Sequence, residues 1–231
     1  MAVKIVHLYP EEMNLYGDKG NVICLKKRFE ARNYKVDVIN VGMGERIPDF
    51  DILFIGGGQD KEMSIVRRDV RRKAEELSYY IHSEKTVLAI CGGYQLLGEY
   101  YKTASAQVIE LSGALPFFTE GAKQRLIGNV VFESPFGKIV GFENHSGKTY
   151  IANELRPLGR VVSGFGNNGE DGTEGVLYKN TFGTYAHGPV LPKNPIFADE
   201  IIKRALQVNE LPNIDDELEN LCHNSLVSRF T

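Results

Sequence analysis

The stretch Thr86–Gly98, T-V-L-A-I-C-G-G-Y-Q-L-L-G, constrains this chain more than any other. Thr86 to Ile90 is a short apolar run rich in β-branched residues, which predicts a strand buried on both faces. Cys91 ends the run, Gly92 and Gly93 follow at once, and Tyr94 to Leu97 opens a helix with apolar residues on one side. A strand that turns abruptly into a helix, with a nucleophile-capable side chain at the corner, is the layout of a nucleophile elbow. The corner residue is held in a strained backbone, and glycines must follow so that strand and helix can approach. A thiol at that corner lies at a helix N-terminus, where the dipole and unpaired N–H groups favour a thiolate. Ala89 stands where the general G-x-nucleophile-x-G pattern has its first glycine, so the match is partial. The competing reading is an inert buried cysteine, because free cysteine is among the most buried residue types. The Gly-Gly pair directly after Cys91 favours the reactive thiol.

The segments before the elbow place it in a sheet. Lys4 to Tyr9, Lys35 to Val41 and Asp51 to Ile55 read as strands, the last ending in Gly56-Gly57-Gly58. Asn21 to Asn33 has a helical pattern with Val22, Leu25 and Phe29 on one side, and a second helix runs from the triple glycine to about His82. The order predicts an α/β fold with three layers: a mostly parallel sheet flanked by helices. Sites in such sheets lie beyond the carboxyl ends of the strands, where Gly58 and Cys91 both fall. After about Gln107 the texture changes. Arg125 to Glu133, Lys138 to Glu143, Arg160 to Ser163, Val176 to Tyr178 and Thr181 to Ala186 read as added strands, several of them antiparallel. Ile196 to Val208 and Asp216 to Val227 read as two closing helices joined by a linker, Val208 to Ile214. The expectation is one domain, 1–231, with residues from about 209 onward as a helical extension.

Composition narrows the partners. A net charge of -3 gives no reason to expect nucleic acid or an anionic membrane surface. Three widely spaced cysteines (Cys24, Cys91, Cys222) argue against a disulfide framework or a zinc ribbon, and no metal site is expected. No apolar stretch approaches the ~20 residues of a membrane span and no signal-peptide pattern opens the chain, so a soluble, cytoplasmic protein without membrane insertion is expected. Gly141 to Thr149, G-F-E-N-H-S-G-K-T, imitates a phosphate loop, but Phe142 stands where the first glycine is required and Tyr150-Ile151 continue an extended segment. The Asn144-His145-Ser146 sequon is irrelevant to a cytoplasmic chain.

A thiol nucleophile needs a base. Of five histidines, His7, His82 and His223 sit inside predicted elements, whereas His145 and His187 follow strands. His187, in the strand-breaking His-Gly-Pro turn, is the best placed, with His145 a competitor.

Four segments together, F-I-G-G-G-Q-D (Phe54–Asp60), A-I-C-G-G-Y-Q-L-L-G (Ala89–Gly98), G-F-E-N-H-S-G-K-T (Gly141–Thr149) and T-Y-A-H-G-P-V-L (Thr184–Leu191), resemble class I glutamine amidotransferases of the cobyric acid synthase-like branch. The resemblance spans most of the chain and implies the flavodoxin-like sheet of that family. It implies Cys91 as nucleophile and His187 as its acid–base partner. Backbone N–H groups of Gly57, Gly58 and Gly92 match the oxyanion hole, Gln95 falls in the substrate-binding set, and Arg125 matches the residue that holds the glutamine α-carboxylate. Residues alone would leave Arg125 a surface arginine. The chain looks like a stand-alone glutaminase subunit with no cofactor of its own. The implied partner is a Mur-ligase-like synthetase, which uses ATP and Mg²⁺ to activate the D-glutamate carboxylate of the lipid II stem peptide; ammonia from L-glutamine then yields D-isoglutamine. A corrinoid or other acceptor, a thiol-peptidase type of hydrolase and a non-enzymatic binding protein are the alternatives. One departure matters: the glutamate that many class I glutaminases place two residues after the histidine is Pro189 here. The acid that orients His187 is then expected from the synthetase across the interface, with Glu143, Glu11 and Glu12 as intrachain candidates.

Overall fold

The computed structural model describes residues 2–231. The first half of the chain runs β1 (Val3–Leu8), α1 (Lys19–Glu30), β2 (Val36–Val41), β3 (Ile52–Ile55), α2 (Asp60–Arg72), α3 (Ala74–His82), β4 (Thr86–Ile90) and α4 (Gly92–Leu96). Next come β5 (Tyr100–Lys102), β6 (Val108–Glu110), β7 (Phe117–Ser134), β8 (Gly137–Ile151), β9 (Gly159–Ser163), β10 (Thr173–Glu174), β11 (Val176–Tyr178) and β12 (Thr181–Thr184). Helices α5 (Pro195–Leu206) and α6 (Glu217–Phe230) close the chain.

The expected parallel sheet has the order β11-β12-β4-β3-β1-β2, antiparallel only at β11. Its central strands β3, β4 and β12 are buried at every residue, which is why they read as unbroken apolar runs rather than as alternation. The β1-to-β2 and β3-to-β4 crossovers leave the centre in opposite directions. Right-handed crossovers therefore put α1 on one face and α2–α3 on the other. The strand order reverses between β1 and β3, so the loops after these two strands part and leave a crevice beside the end of β4.

Strands β5 to β10 form a second sheet, β10-β9-β7-β5-β6 with β8 paired to β7, antiparallel except where β5 runs parallel to β7. The long hairpin β7–β8 absorbs the shorter runs read from sequence and includes His145 within β8. Burial along β8 alternates, as for a ladder with one face on the core. Between Gly121 and Leu126 the β7–β8 register shifts, and Arg125 sits in that irregularity rather than at a strand start.

Two helices differ from their sequence patterns. The helix expected through His82 breaks at Lys73, which leaves α-helical geometry at φ -90 and ψ 4. Its ammonium pairs with Asp69 in a buried contact that Tyr9 Oη also joins, donating to Asp69 at 2.8 Å. The helix after the elbow is a single turn, because Gly98 lies against Phe117, 2.5 Å from where a Cβ would stand.

Candidate active site

Cys91 takes φ 48 and ψ -107, a conformation L-residues rarely hold. Its N–H donates to Thr184 O at 2.8 Å and its carbonyl accepts from Gln95 N–H at 2.9 Å, so β12 and the first helical bond hold the strained corner. The glycines after it have no room for a side chain. A Cβ on Gly92 would stand 2.4 Å from Gly58 O, and one on Gly93 2.6 Å from the carbonyl oxygens of Ile55 and Gly56. Backbone of the triple-glycine loop therefore lies directly against the elbow. A five-residue helix carries little macrodipole, so the unpaired N–H groups at its start supply the local positive field.

His187 lies beyond β12, fully buried. Its N–H donates to Phe142 O at 2.8 Å and its carbonyl accepts from Phe142 N–H at 3.3 Å, a two-bond bridge to β8. Nδ1 stands 3.3 Å from Asp18 Oδ2, both side chains wholly out of solvent. Nε2 has no hydrogen-bond partner among the described residues. Burial by itself lowers the imidazole pKa, but the Cys91 sulfur and then Asp18 outweigh it, and the net pKa stands above the ordinary 6.5. His145 lines the same cleft but is otherwise committed. Its Nδ1 bonds to Gly147 O at 2.7 Å and its ring stacks on Tyr185 at 3.6 Å, leaving Nε2 3.7 Å from Glu143 Oε2.

Asp18, a residue not among the candidates read from sequence, is the acid that faces His187 within this chain. It directly precedes α1, where an aspartate would ordinarily cap, yet it makes no capping bond. Instead Oδ2 accepts the Gly57 N–H at 2.8 Å and faces His187. Pro189 is part of the reason. It packs on Gly20, its Cγ 2.5 Å from where a Cβ would be, so the His-Gly-Pro turn leans on the segment that carries Asp18. Glu143 is spent elsewhere, accepting from Phe165 N–H at 2.6 Å and Gly166 N–H at 2.9 Å. Glu11 is exposed and Glu12 half-buried, and neither has a hydrogen bond to His187 among the described residues.

The same bond removes Gly57 from the set of free oxyanion donors. The Gly58 N–H finds no acceptor among the described residues, and the Gly92 N–H, first in its helix, has no intrahelical one. A narrow cleft opens in front of Cys91, lined also by Gly58, Gln95 and Arg125. His187, Gly57 and Gly92 adjoin Cys91 and Gly58 but are not among the residues that line it. Gln95 Nε2 donates to Tyr185 Oη at 2.9 Å, and that hydroxyl also bonds Thr149 Oγ1 at 2.6 Å. Arg125 donates through Nε and Nη2 to the Asn144 side-chain and main-chain oxygens, both at 2.9 Å. Asn144 Nδ2 donates to Tyr16 Oη at 2.7 Å, and the Tyr16 ring packs edge-on to His187 at 5.0 Å. Behind β12, the buried Glu174 accepts from Tyr185 N–H at 2.7 Å and Thr184 Oγ1 at 3.0 Å. Burial pushes its pKa up to about 8.

Asp18, Tyr16 and Asn144 escape a reading by motif. Tyr16 lies in a 3-10 turn, Leu15–Gly17, and Asp18 directly follows it, while Asn144 lies inside the false phosphate loop. A sheltered acid shows no sequence signal when its partner is 169 positions away.

A thiol on a strained elbow, backed by a buried histidine and acid on a doubly wound sheet, is an arrangement suited to a cysteine nucleophile. The chain belongs to the CobB/CobQ-like glutamine amidotransferase family, matching that domain over residues 4–195, and is a glutamine amidotransferase. It is 42% identical over 232 residues to the lipid II isoglutaminyl synthase (glutamine-hydrolyzing) subunit GatD of Staphylococcus aureus (strain N315), covering 97% of this chain and 95% of that protein. The GatD subunit of Streptococcus pneumoniae (strain ATCC BAA-255 / R6) is likewise 42% identical, over 226 residues that cover 94% and 87% of the two chains. A probable cobyric acid synthase of Methanothermobacter thermautotrophicus is 31% identical over 63% of this chain but only 31% of its own length. A solved glutamine amidotransferase shares the fold with TM-score 0.62 at 15% identity, covering 87% of this chain and 98% of that one. No described helix is long and apolar enough to cross a membrane.

Proposed function

We propose that this chain is the glutaminase subunit of a lipid II isoglutaminyl synthase, hydrolysing L-glutamine and passing ammonia to a Mur-ligase-like synthetase subunit. The observation that carries the chemistry is the buried Asp18–His187 pair behind a strained Cys91 that opens on a cleft with a guanidinium in its wall. The Cys91 thiolate attacks the side-chain amide carbon of glutamine, and the oxyanion forms facing Gly58 and Gly92 N–H. The C–N bond breaks as imidazolium His187 donates its Nε2 proton to the departing amine, releasing ammonia. Water then attacks the glutamyl thioester, gives its proton to His187 and leaves glutamate, with the thiolate–imidazolium pair restored. Asp18 holds the ring on Nδ1 throughout, and Arg125 pairs with the substrate α-carboxylate through its remaining donors.

Near-complete coverage of the GatD subunits at 42% identity supports the acceptor assignment over a corrinoid. ATP and Mg²⁺ then belong to the synthetase, where the D-glutamate carboxylate of the stem peptide is activated and amidated to D-isoglutamine. Ammonia at neutral pH is mostly protonated and unreactive, so direct transfer between subunits is chemically favoured over diffusion.

Cys91→Ala decides the reading. In complex with the synthetase, this variant should lose amidation driven by glutamine and keep amidation driven by added ammonium. Glutamine hydrolysis persisting in the folded variant overturns the mechanism. Glutamine-driven amidation of a corrinoid but not of lipid II overturns the acceptor.

A further inference from the structure

Glu174 is wholly buried and takes no part in the chemistry described above. It ends β10, in the second sheet. Gly175 then turns the chain at φ 64 toward β11 in the first sheet. A Cβ on Gly175 would stand 2.2 Å from Gly183 O, so this crossing lies directly against β12. The Asn167 side chain fastens the turn, accepting from Gly175 N–H at 2.9 Å and donating to Gly175 O at 3.0 Å. Glu174 therefore stands at a fixed place where the two sheets meet. A buried carboxyl is tolerated only where its oxygens are engaged.

Those oxygens serve one short segment, the end of β12. The ladder to β4 stops at Thr184, and the next N–H groups need other acceptors. Glu174 Oε1 accepts from Tyr185 N–H at 2.7 Å and from the Thr184 hydroxyl at 3.0 Å, with Oε2 3.2 Å from the same hydroxyl. That hydroxyl in turn accepts from Ala186 N–H at 3.0 Å. His187 is the next residue. On the other side, Thr184 O accepts the Cys91 N–H at 2.8 Å. One carboxyl thus reaches the main chain at both reacting side chains through Thr184.

We propose that Glu174 is a positioning residue of this site, holding the Cys91 corner and the His187 turn in register with each other through Thr184. The assignment rests on the glutaminase reading above. Thiolate attack and proton donation to the amine need both side chains at set distances from one substrate atom, so slack between them slows the chemical step. Three titratable groups act on Glu174 or feel its charge: Glu143 on β8, His187 beyond β12 and Tyr94 on α4. Burial pushes the Glu174 pKa up to about 8 against its two hydrogen bonds; Glu143 adds to the rise and the His187 charge opposes it. Oε1 accepts its bonds whether the carboxyl is neutral or ionised. Above pH 8 the ionised form also supports the imidazolium charge.

The test measures glutamine hydrolysis by the chain in complex with its synthetase. Glu174→Ala frees the segment and should lower kcat by about 10- to 100-fold, with a smaller change in KM. Glu174→Gln keeps an acceptor oxygen for Thr184 and Tyr185 and should restore most of that loss. Because the amide cannot ionise, the alkaline limb of kcat should lie at lower pH in Glu174→Gln than in wild type. Thr184→Val removes the hydroxyl between Glu174 and Ala186 and should reproduce the kcat loss, which keeps the test open where Glu174→Ala does not fold. A folded Glu174→Ala or Thr184→Val with wild-type kcat overturns the assignment. So does a loss that Glu174→Gln fails to relieve, or an alkaline limb that stays in place in Glu174→Gln, the mark of a structural role. Wild type that hydrolyses no glutamine overturns the glutaminase reading instead. Alkylation of Cys91, slower in Glu174→Ala than in wild type, then still tests the positioning.

Discussion

Asp18 is the residue on which the site's acid–base chemistry turns. A neutral imidazole cannot protonate a leaving amine, so His187 must keep its proton through the working pH range. Desolvation opposes that charge, and the Cys91 sulfur and the Asp18 carboxylate restore it, giving a pKa above 6.5. Activity should accordingly hold through neutral pH and fall on the alkaline side as the imidazolium deprotonates. Asp18→Asn removes the anion at Nδ1, which lowers the His187 pKa, so the alkaline limb of kcat/KM should move down toward neutrality. Turnover should also drop by about 10²- to 10⁴-fold, the upper end being the loss in the serine-protease triad when its aspartate is made neutral. An alkaline limb at the same pH in both proteins would show that Asp18 has no electrostatic part in the reaction.

At the scale of elements, the site depends on one contact between backbones. The elbow of β4 and α4 meets the glycine loop after β3 with no side chain between them, and β12 holds the Cys91 N–H from the other side. A methyl on Gly93 would have to displace two carbonyl groups of β3 and its loop, Ile55 and Gly56. Overpacking of this kind costs about 1–3 kcal/mol. Gly93→Ala should therefore lower the unfolding midpoint and also slow alkylation of Cys91, because the shift occurs at the nucleophile's own turn. Alkylation at the wild-type rate in a destabilised variant would mean that the strain is relieved away from the thiol. The β7 irregularity is the second device at this scale. It lets a strand residue, Arg125, reach the cleft opposite Asn144.

For the whole molecule, the open question is how the C-terminal extension is attached. Helix α6 has no fully buried residue; Leu226, Val227 and Phe230 are half-buried, and His223 Nδ1 bonds to Lys193 O at 2.9 Å. Charge anchors the segment that leads into it. Arg28 on α1 forms a two-pronged contact with Asp216 at 2.6 and 2.7 Å and donates to Asp199 on α5 at 2.8 Å. Arg32 joins Asp199 at 2.7 Å and the Pro212 carbonyl at 2.8 Å. Both arginines are nearly buried while the acids keep about a fifth of their exposure, which places the network between surface and interior pairs. Arg28→Ala should cost about 2–3 kcal/mol and open residues 209–215 to proteolysis while leaving Cys91 alkylation unchanged. Resistance to proteolysis equal to wild type would show that α6 is held by something other than these pairs.

Where neighbours in sequence are neighbours in space, the sequence alone was enough. The elbow is such a case: a β-branched run, a cysteine and two glycines define a strand, a strained corner and a close approach without reference to any other part of the chain. The alternation of strands and helices determined the parallel sheet in the same way, since crossover handedness leaves few arrangements. His187 was half legible, as a histidine on a broken strand end with His145 as a rival. The family resemblance favoured His187, and the tertiary structure gives the physical reason, committing His145 to Gly147 and Tyr185 and bringing Asp18 to His187. The second sheet, the break at Lys73 and the acid behind His187 were likewise decided by packing between distant segments. A buried charge is tolerated only where a partner meets it, and which segment supplies that partner depends on how the layers stack.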